Sequence, residues 1–227
     1  MQTRIVRKSA LERKMARTRI LLADDHTLFC SLLKDLLEPE YEVVGCVSDG
    51  HELLRVAETL RPDAVVVDIG MPSLNGLEAG RRLKRANPKL KLIYLTMSNN
   101  IEYAREAIQA GASAFVLKNS QSAQFLQAIR NALRGVSYIA PEIRQAMNDV
   151  FLRDPKAVDR PQHLTDRQLE VLQQLAEGHS LREISSSLQI SYRTVRFHKY
   201  RLMEELGITK NTELVKYAMK RGIISPT

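Results

Sequence analysis

The chain has 227 residues, of which 44% are hydrophobic and 26% charged, and its formal net charge is +8. These proportions are typical of a soluble globular protein with one or two domains, and no apolar stretch approaches the roughly 20 residues of a membrane-spanning helix. The basic N-terminus has no apolar run behind it, so we expect neither a signal peptide nor a membrane anchor, and a cytoplasmic protein.

The net charge is distributed unevenly along the chain. Residues 1–18 carry six basic residues and one acidic residue, residues 19–135 carry fourteen of each sign, and residues 160–227 carry eleven basic and seven acidic residues. The basic C-terminal part is compatible with a nucleic-acid partner, although this excess is weak support by itself. Residues 1–17 are expected to be a basic extension, and both a disordered arm and an upstream translation start would explain residues 1–14.

The only two cysteines, Cys30 and Cys46, lie in apolar segments and lack the CxxC spacing of metal and redox sites. We therefore expect reduced, structural thiols rather than a disulfide bond or a metal site.

Short apolar runs alternate with longer amphipathic segments in the first part of the chain. The apolar runs are residues 20–23, 43–47, 64–67, 92–95 and 114–117. They are too short for helices and are typical of strands buried on both faces. The helix-like segments are residues 27–37, 51–60, 76–86, 100–109 and 121–134. Five strand–helix units predict an α/β domain with a doubly wound, five-stranded parallel sheet, the (βα)5 arrangement.

The pattern changes after residue 135. Residues 136–163 contain several prolines and are interpreted as a linker with one helix over residues 142–152. From residue 164 the chain is predicted to be all-helical, with helices over residues 166–177, 181–188, 192–206 and 211–221. Glycines stand where three of these helices should end, at Gly178, Gly207 and Gly222.

Polar residues follow four of the five predicted strands, namely Asp24, Asp25, Asp68, Thr96 and Lys118. Because the carboxyl ends of parallel strands share one edge of the sheet, these side chains should meet there. Carboxylates crowded together suit Mg²⁺, and a lysine with a hydroxyl would complete a phosphoryl-binding site. Taken singly, the aspartates or the threonine could be helix caps and the lysine a surface charge, but their joint placement favours a site.

The residues around these positions resemble the receiver domain of bacterial response regulators over about residues 18–135. The matching stretches are Leu22-Ala23-Asp24-Asp25-His26, Val67-Asp68-Ile69-Gly70-Met71-Pro72, Asn75-Gly76-Leu77-Glu78, Leu95-Thr96 and Gly111-Ala112 with Phe115-Val116-Leu117-Lys118. The resemblance implies that Asp68 accepts a phosphoryl group from a sensor histidine kinase. It also implies that Asp25, Asp68 and the backbone carbonyl of Gly70 bind Mg²⁺ directly, with Asp24 acting partly through water.

The same resemblance implies a switch. Lys118 would pair with a phosphoryl oxygen, and Thr96 would move to hydrogen-bond another. Phe115 would rotate into the space left behind Thr96; family members often have Tyr there, and a Phe lacks the hydroxyl that favours an outward, hydrated position. The alternative is that Phe115 is only a core residue.

The segment from residue 181 to residue 206 predicts a helix, a tight turn and a second helix, with Ser191 as the N-cap of the second. One side of the second helix has an inner stripe of Val195, His198, Leu202 and Leu206. The opposite side has what we call the outer stripe: Arg193, Arg196, Phe197 and Tyr200.

An exposed face with arginines and aromatics suits the major groove, because arginine can bond guanine and apolar groups can contact thymine methyls. The alternative is that this face is only a basic helix surface exposed to solvent. DNA binding is favoured by the helix and turn that precede it and by the two aromatic residues. The expected contacts to double-stranded DNA come from Arg193, Thr194, Arg196, Phe197, Lys199, Tyr200 and Arg201.

Residues 164–227 form the predicted helix-turn-helix domain, and residues 164–224 resemble the LuxR-type domain of the NarL/FixJ group. The matches are Leu164-Thr165-Asp166-Arg167, Glu170-Val171-Leu172, Gly178, Glu183-Ile184, Leu188, Ile190-Ser191, Thr194-Val195, His198, Leu206-Gly207 and Gly222-Ile223-Ile224. Gln168, Leu181 and Ser185 depart from the usual Glu, Asn and Ala, which puts local packing in doubt. The resemblance implies a homodimer formed through the last helix on paired half-sites.

The resulting hypothesis is a transcription factor whose dimerisation and DNA binding are controlled by phosphorylation of Asp68. In the resting state its receiver is expected to cover or restrain the recognition helix. We expect no enzymatic activity other than slow, Mg²⁺-dependent self-phosphorylation and dephosphorylation. An aspartate-nucleophile phosphatase would need a carboxylate two residues after Asp68, where this chain has Gly70. A third interpretation makes the helical domain a protein-interaction module.

Overall fold

The computed structural model describes residues 17–153 and 164–224, with the backbone alone for residues 150–153 and 166. The expected basic extension, except for its last residue, and the second part of the expected linker lie outside the described residues. Among the helices of the described ranges, none is both long enough and apolar enough to cross a membrane.

The N-terminal domain is built around a parallel sheet. Its strands are Arg19–Ala23 (β1), Glu42–Val47 (β2), Ala64–Asp68 (β3), Lys91–Thr96 (β4), Ala114–Leu117 (β5) and Tyr138–Ile139 (β6). They are ordered β2-β1-β3-β4-β5-β6, and all of these pairings are parallel. The strand order reverses between β1 and β3, and ligands of doubly wound sheets bind at the carboxyl ends of the strands beside such a reversal.

Helices cover both faces of this sheet. They are Thr27–Leu37 (α1), Gly50–Leu60 (α2), Gly76–Ala86 (α3), Ile101–Gln109 (α4) and Ser122–Leu133 (α5). Helices α1 and α5 share a core with one face, and α2, α3 and α4 share a core with the other. The doubly wound arrangement is confirmed, because strands covered on both sides must be apolar along their whole length.

The sheet has one strand more than the five predicted. Strand β6 pairs with β5 at the edge. Ala140, just before helix α6 (Pro141–Arg153), and Ile143 in its first turn are buried in the core that contains α2, α3 and α4. The helix predicted within the linker is therefore present, but its beginning packs on the sheet. A two-residue strand is too short to produce a recognisable apolar run, which is why the pattern did not reveal it.

The two cysteines form a disulfide bond, so the expectation of reduced thiols was wrong. Cys30 lies on α1 and Cys46 on the edge strand β2, and their Cα atoms are 6.6 Å apart. The bond is possible because α1 packs against β1 and β2. A separation of 16 residues carries no recognisable signal of this tertiary proximity.

Residues 164–224 of the C-terminal domain contain the four predicted helices: Asp166–Ala176 (α7), Leu181–Ser187 (α8), Tyr192–Leu206 (α9) and Asn211–Lys220 (α10). They enclose a separate core. The glycines expected after α7, α9 and α10 have positive φ angles of 91°, 64° and 72°, a conformation that ends helices and that other residues rarely adopt. Gln168 forms a capping box with Thr165, so its amide takes the place of the usual Glu.

Candidate functional site

Three of the predicted polar residues meet at the carboxyl edge of the sheet. The Nζ atom of Lys118 lies 2.8 Å from Oδ2 of Asp24 and 2.8 Å from Oδ2 of Asp68. The exposed fractions of the three side chains are 6%, 2% and 7% in that order. One ammonium group thus holds two buried carboxylates together. We call Asp24, Asp25, Asp68 and Lys118 the acidic cluster.

Asp25 lies at the more open side of the acidic cluster, next to His26. The Nδ1 atom of His26 is 2.9 Å from Oδ1 of Asp25, and the backbone N–H of His26 donates to Oδ1 of Asp24 at 2.9 Å. Ligand atoms of the three aspartates and of His26 all lie within 4.8 Å of one another. A set rich in carboxylate oxygens at this spacing has the composition that a hard divalent cation requires.

The surroundings of Asp68 alter its acidity. Burial raises the pKa of the Asp68 carboxyl above its ordinary value, although Lys118 and the backbone N–H of Gly70 act in the opposite direction. Burial alone would lower the pKa of Lys118, but its pairs with Asp68 and Asp24 raise it. Lys118 therefore stays protonated at neutral pH, and the poorly solvated carboxylate of Asp68 favours a further positive charge beside it.

Thr96 and Phe115 lie on neighbouring strands beside the acidic cluster. The Oγ1 atom of Thr96 accepts a hydrogen bond from the backbone N–H of Ser98 at 3.0 Å, and its carbonyl accepts one from the backbone N–H of Lys118 at 2.8 Å. The ring of Phe115 is fully buried. The hydroxyl of Thr96 is thus bonded within its own loop, and Phe115 already occupies an inward position.

The loop of residues 69–75 follows Asp68 directly and leads into helix α3. Gly76 permits the tight entry, because a Cβ atom there would lie 2.0 Å from the carbonyl oxygen of Asp68. The side chain of Asn75 caps the helix by accepting from the backbone N–H of Glu78 at 2.9 Å. This loop therefore ties the acidic cluster to the start of α3.

Helix α9 presents the second set of predicted residues. It begins at the predicted N-cap, where Oγ of Ser191 accepts from the backbone N–H of Thr194 at 3.1 Å. Val195 and Leu202 of the inner stripe are fully buried, whereas all four residues of the outer stripe are exposed. The departure at Ser185 is also accommodated, because its hydroxyl donates to the carbonyl of Ile190 at 2.6 Å in the preceding turn.

The outer stripe is apolar and cationic at once. Phe197 and Tyr200 are 60% and 56% exposed, and the guanidinium of Arg196 lies 5.5 Å from the ring centroid of Tyr200. Arg201 pairs with Glu205 at 2.9 Å. Exposed aromatic rings among arginines mark a surface that is suited to binding rather than to solvation.

The comparisons with known proteins cover both domains. Residues 20–130 match the model of the response regulator receiver domain, and residues 162–218 match that of bacterial regulatory proteins of the luxR family. The chain is 32% identical over 209 residues to response regulator GacA of Pseudomonas aeruginosa, covering 91% of this chain and 97% of GacA. The chain belongs to the response-regulator family.

Two further relatives agree with this assignment. Transcriptional regulatory protein DegU of Brevibacillus brevis is 32% identical over 221 residues, covering 90% of this chain and 94% of DegU. The crystal structure of a LuxR-family two-component response regulator from Aurantimonas sp. SI85-9A1 is 32% identical, with a TM-score of 0.58, and covers 60% of this chain and 99% of that one. This response regulator therefore joins a receiver domain to a LuxR-type helix-turn-helix domain, as in the NarL/FixJ group.

The receiver of this response regulator contacts its helix-turn-helix domain away from the outer stripe. Arg82 of α3 pairs with Glu170 of α7, with Nη2 2.7 Å from Oε1. The hydroxyl of Tyr103 on α4 donates to the carbonyl of Ile224 at 3.1 Å, and a Cβ on Gly222 would lie 2.0 Å from the Tyr103 ring. In the described residues the receiver does not cover the recognition helix, because it contacts α7 and the end of α10 instead. The other form of the expectation, that the receiver restrains this helix, stays a prediction.

His26 and Phe29 also lie beside the acidic cluster and were not among the predicted site residues. His26 belongs to the acidic cluster's surroundings, and its position directly after Asp24 and Asp25 could have indicated this. Phe29 lies in the first turn of α1, and Nζ of Lys118 is 5.0 Å from the centroid of its ring. Phe29 follows the apolar pattern of a core residue, so sequence alone did not distinguish its role beside Lys118.

Proposed function

We propose that this regulator binds DNA under the control of phosphorylation of Asp68 by a sensor histidine kinase. The observation that carries the proposal is the buried contact of Lys118 with both Asp24 and Asp68. The cluster lies at the carboxyl edge of the central strands, where ligands of doubly wound sheets bind. A buried carboxylate beside a fixed ammonium group suits the transfer of an anionic phosphoryl group.

Asp68 acts as the nucleophile. One of its carboxylate oxygens bonds to phosphorus as the bond from phosphorus to the kinase's histidine nitrogen breaks, and that nitrogen keeps the electron pair. Lys118 then pairs with an oxygen of the transferred group, which adds negative charge to an already acidic site.

Mg²⁺ fits the acidic cluster on the chemistry of its donors, since carboxylate oxygens of three aspartates lie within 4.8 Å of one another. Asp25, Asp68 and the Gly70 carbonyl would hold the ion, and Asp24 would contribute partly through water. When bound, Mg²⁺ would supply positive charge that offsets the negative charge of the phosphoryl oxygens.

Thr96 and Phe115 convert phosphorylation into a change of shape. The Thr96 hydroxyl turns from the backbone N–H of Ser98 to a phosphoryl oxygen, whereas Phe115 is already inside and lines the space that this movement opens without an inward rotation. Because the Phe115 ring is fully buried before phosphorylation and has no hydroxyl to hydrate, its inward position costs little.

The outer stripe enters the major groove of double-stranded DNA. Arg193, Arg196, Phe197 and Tyr200 face base edges, while Thr194, Lys199 and Arg201 contact phosphates or sugars. The four residues of the outer stripe are already exposed, so phosphorylation does not need to uncover this face of α9 for DNA.

Control acts on dimerisation instead. The active form is a homodimer joined through α10, as half-site recognition by paired domains requires. In the resting chain the receiver contacts the end of this helix, with Arg221 Nη1 3.4 Å from Oε1 of Glu106 and Tyr103 against Gly222. Breaking these contacts frees α10 for a second copy.

The role is signalling rather than turnover of a substrate, and the only catalysis is slow Mg²⁺-dependent self-phosphorylation and dephosphorylation of Asp68. An aspartate-nucleophile phosphatase is disfavoured, because Gly70 offers only its backbone where a general acid/base carboxylate would stand.

The test is a genome-wide selection of bound DNA with and without beryllofluoride and Mg²⁺, with Asp68→Asn as the control. We expect beryllofluoride to increase DNA affinity and dimer content of the natural chain and to leave the variant unchanged. Equal affinity and equal oligomeric state of the natural chain under both conditions would overturn the gating. Failure to bind any duplex would favour a protein-interaction module.

A further inference from the structure

The loop of residues 69–75 is held by a side chain from the other domain. Gln173 lies on α7 and is 1% exposed. Its Nε2 atom donates to the carbonyl of Met71 at 3.0 Å, and its Oε1 atom accepts from the backbone N–H of Asn75 at 2.8 Å. A single amide thus satisfies one acceptor and one donor of the loop, in the way that a neighbouring strand would.

A second side chain, at the C-terminal end of α7, supports this contact. Glu177 accepts from Nε2 of Gln173 at 2.8 Å and from the backbone N–H of Ser73. Ser73 has a φ of 65°, a left-handed conformation that costs free energy in a residue other than glycine and persists when the surroundings hold it. Gln173 and Glu177 therefore hold the loop in an arrangement that it would not favour alone.

The other side of the same loop belongs to the phosphorylation site. The backbone N–H of Gly70 donates to the carboxylate of Asp68, and Gly76 packs against the carbonyl oxygen of Asp68. Only five residues lie between these two glycines, and Met71 and Asn75 are the first and last of them. A change at the Asp68 carboxylate is therefore expected to shift both residues.

We propose that Gln173 is a positioning residue of the phosphorylation site, which the DNA-binding domain contributes to hold the loop of residues 69–75 in its unphosphorylated arrangement. The inference rests on the proposed function and adds the contact through which phosphorylation of Asp68 acts on the DNA-binding domain. Phosphorylation of Asp68 moves the loop off Gln173 and thereby releases α7 together with α10. By the reciprocity of linked equilibria, release of α7 makes the phosphorylated arrangement easier to form.

The test compares Gln173→Met with Gln174→Met in the full chain. Methionine keeps the length and the apolar stem of glutamine and removes its hydrogen bonds. Gln174 is the matched control, because it is equally buried but donates to Ser187 within its own domain, at 3.2 Å. Gln173→Ala serves as a second variant of the same contact, and thermal unfolding verifies that each variant is folded.

The first measurement is the affinity for beryllofluoride in excess Mg²⁺, followed by fluorine NMR. We expect both Gln173 variants to bind it about fivefold to thirtyfold more tightly than the natural chain, since two hydrogen bonds no longer favour the resting arrangement. We expect Gln174→Met to match the natural chain. Unchanged or weaker binding in the Gln173 variants, or an equal gain in Gln174→Met, would overturn the proposal.

The second measurement is amide hydrogen exchange in the absence of metal and beryllofluoride, which a general loss of stability would not confine to one loop. The amide of Asn75 should exchange faster in Gln173→Met and not in Gln174→Met. Unaltered exchange at Asn75 would show that the contact does not order the loop and would count against the proposal. Failure of the natural chain to bind beryllofluoride would instead refute the proposed phosphorylation of Asp68.

Discussion

The acidic cluster of the receiver and the outer stripe of α9 are assembled in opposite ways. The cluster collects residues between positions 24 and 118 from the ends of separate strands and buries most of them around one ammonium group. The outer stripe consists of four exposed residues that lie within eight consecutive positions of one helix. Because of this difference, a single substitution in the cluster should abolish phosphorylation, whereas a single substitution in the stripe should lower DNA affinity only in part.

The largest expected effect is that of Asp68→Asn. It removes the nucleophile while leaving Lys118 paired with Asp24, so the protein should fold and yet take up no phosphoryl group from acetyl phosphate and Mg²⁺. Intact mass spectrometry measures this. Asp35→Asn, at an exposed position of α1, should be phosphorylated like the natural chain; a phosphorylated Asp68→Asn protein would show that another residue is the acceptor.

The next effect concerns the bond that anchors α1, whose first turn lies beside the acidic cluster. Under oxidising conditions, Cys46→Ser should lower the free energy of unfolding of the receiver by about 2–4 kcal/mol, as expected when a loop of this size is no longer closed. Denaturant titration of both proteins with and without dithiothreitol measures it. Identical midpoints for the natural chain in the two conditions would contradict the disulfide bond.

In the outer stripe, Arg196→Ala should weaken binding to the selected duplex by about 1–3 kcal/mol and relax the preference at one base position. Fluorescence anisotropy against a panel of singly substituted duplexes checks it. Arg134→Ala removes an exposed arginine of the receiver and should change neither quantity. If both variants lose affinity equally for every sequence, the stripe contributes only charge.

The smallest effect is expected for Lys199→Ala. A contact to phosphate carries no base information, so affinity should fall almost uniformly across sequences, and the slope of log K against log salt should decrease by about 1. Titrations at several salt concentrations measure this slope. A sequence-dependent loss would place Lys199 at a base edge, which would make the stripe wider than we define it.

Much of the architecture was predictable from local pattern. The strand and helix segments were predicted within a residue or two, because strands buried on both faces are continuously apolar and helices follow a period of 3.6 residues. The meeting of Asp24, Asp68 and Lys118 was also predictable, since the strand-end rule for parallel sheets places distant residues at one edge without knowledge of any contact.

What depended on tertiary contacts was not predictable. The pairing of Cys30 with Cys46, the addition of β6 to the sheet and the contact of Phe29 with Lys118 arise from packing between elements that are separated in the chain. The periodicity of apolar residues within one helix or strand does not indicate which other element packs against it.

The sequence by itself therefore determined the two domains, the phosphoacceptor hypothesis at Asp68 and the outer stripe of α9, because each depends on patterns within single elements or on a general rule of sheet topology. Only the tertiary structure decided how the domains contact each other: the receiver leaves the outer stripe exposed and instead receives Gln173 in the loop that follows Asp68. The physical reason is that such a contact needs two surfaces to fit, and hydrogen bonds between residues about 100 positions apart leave no periodic trace in either segment.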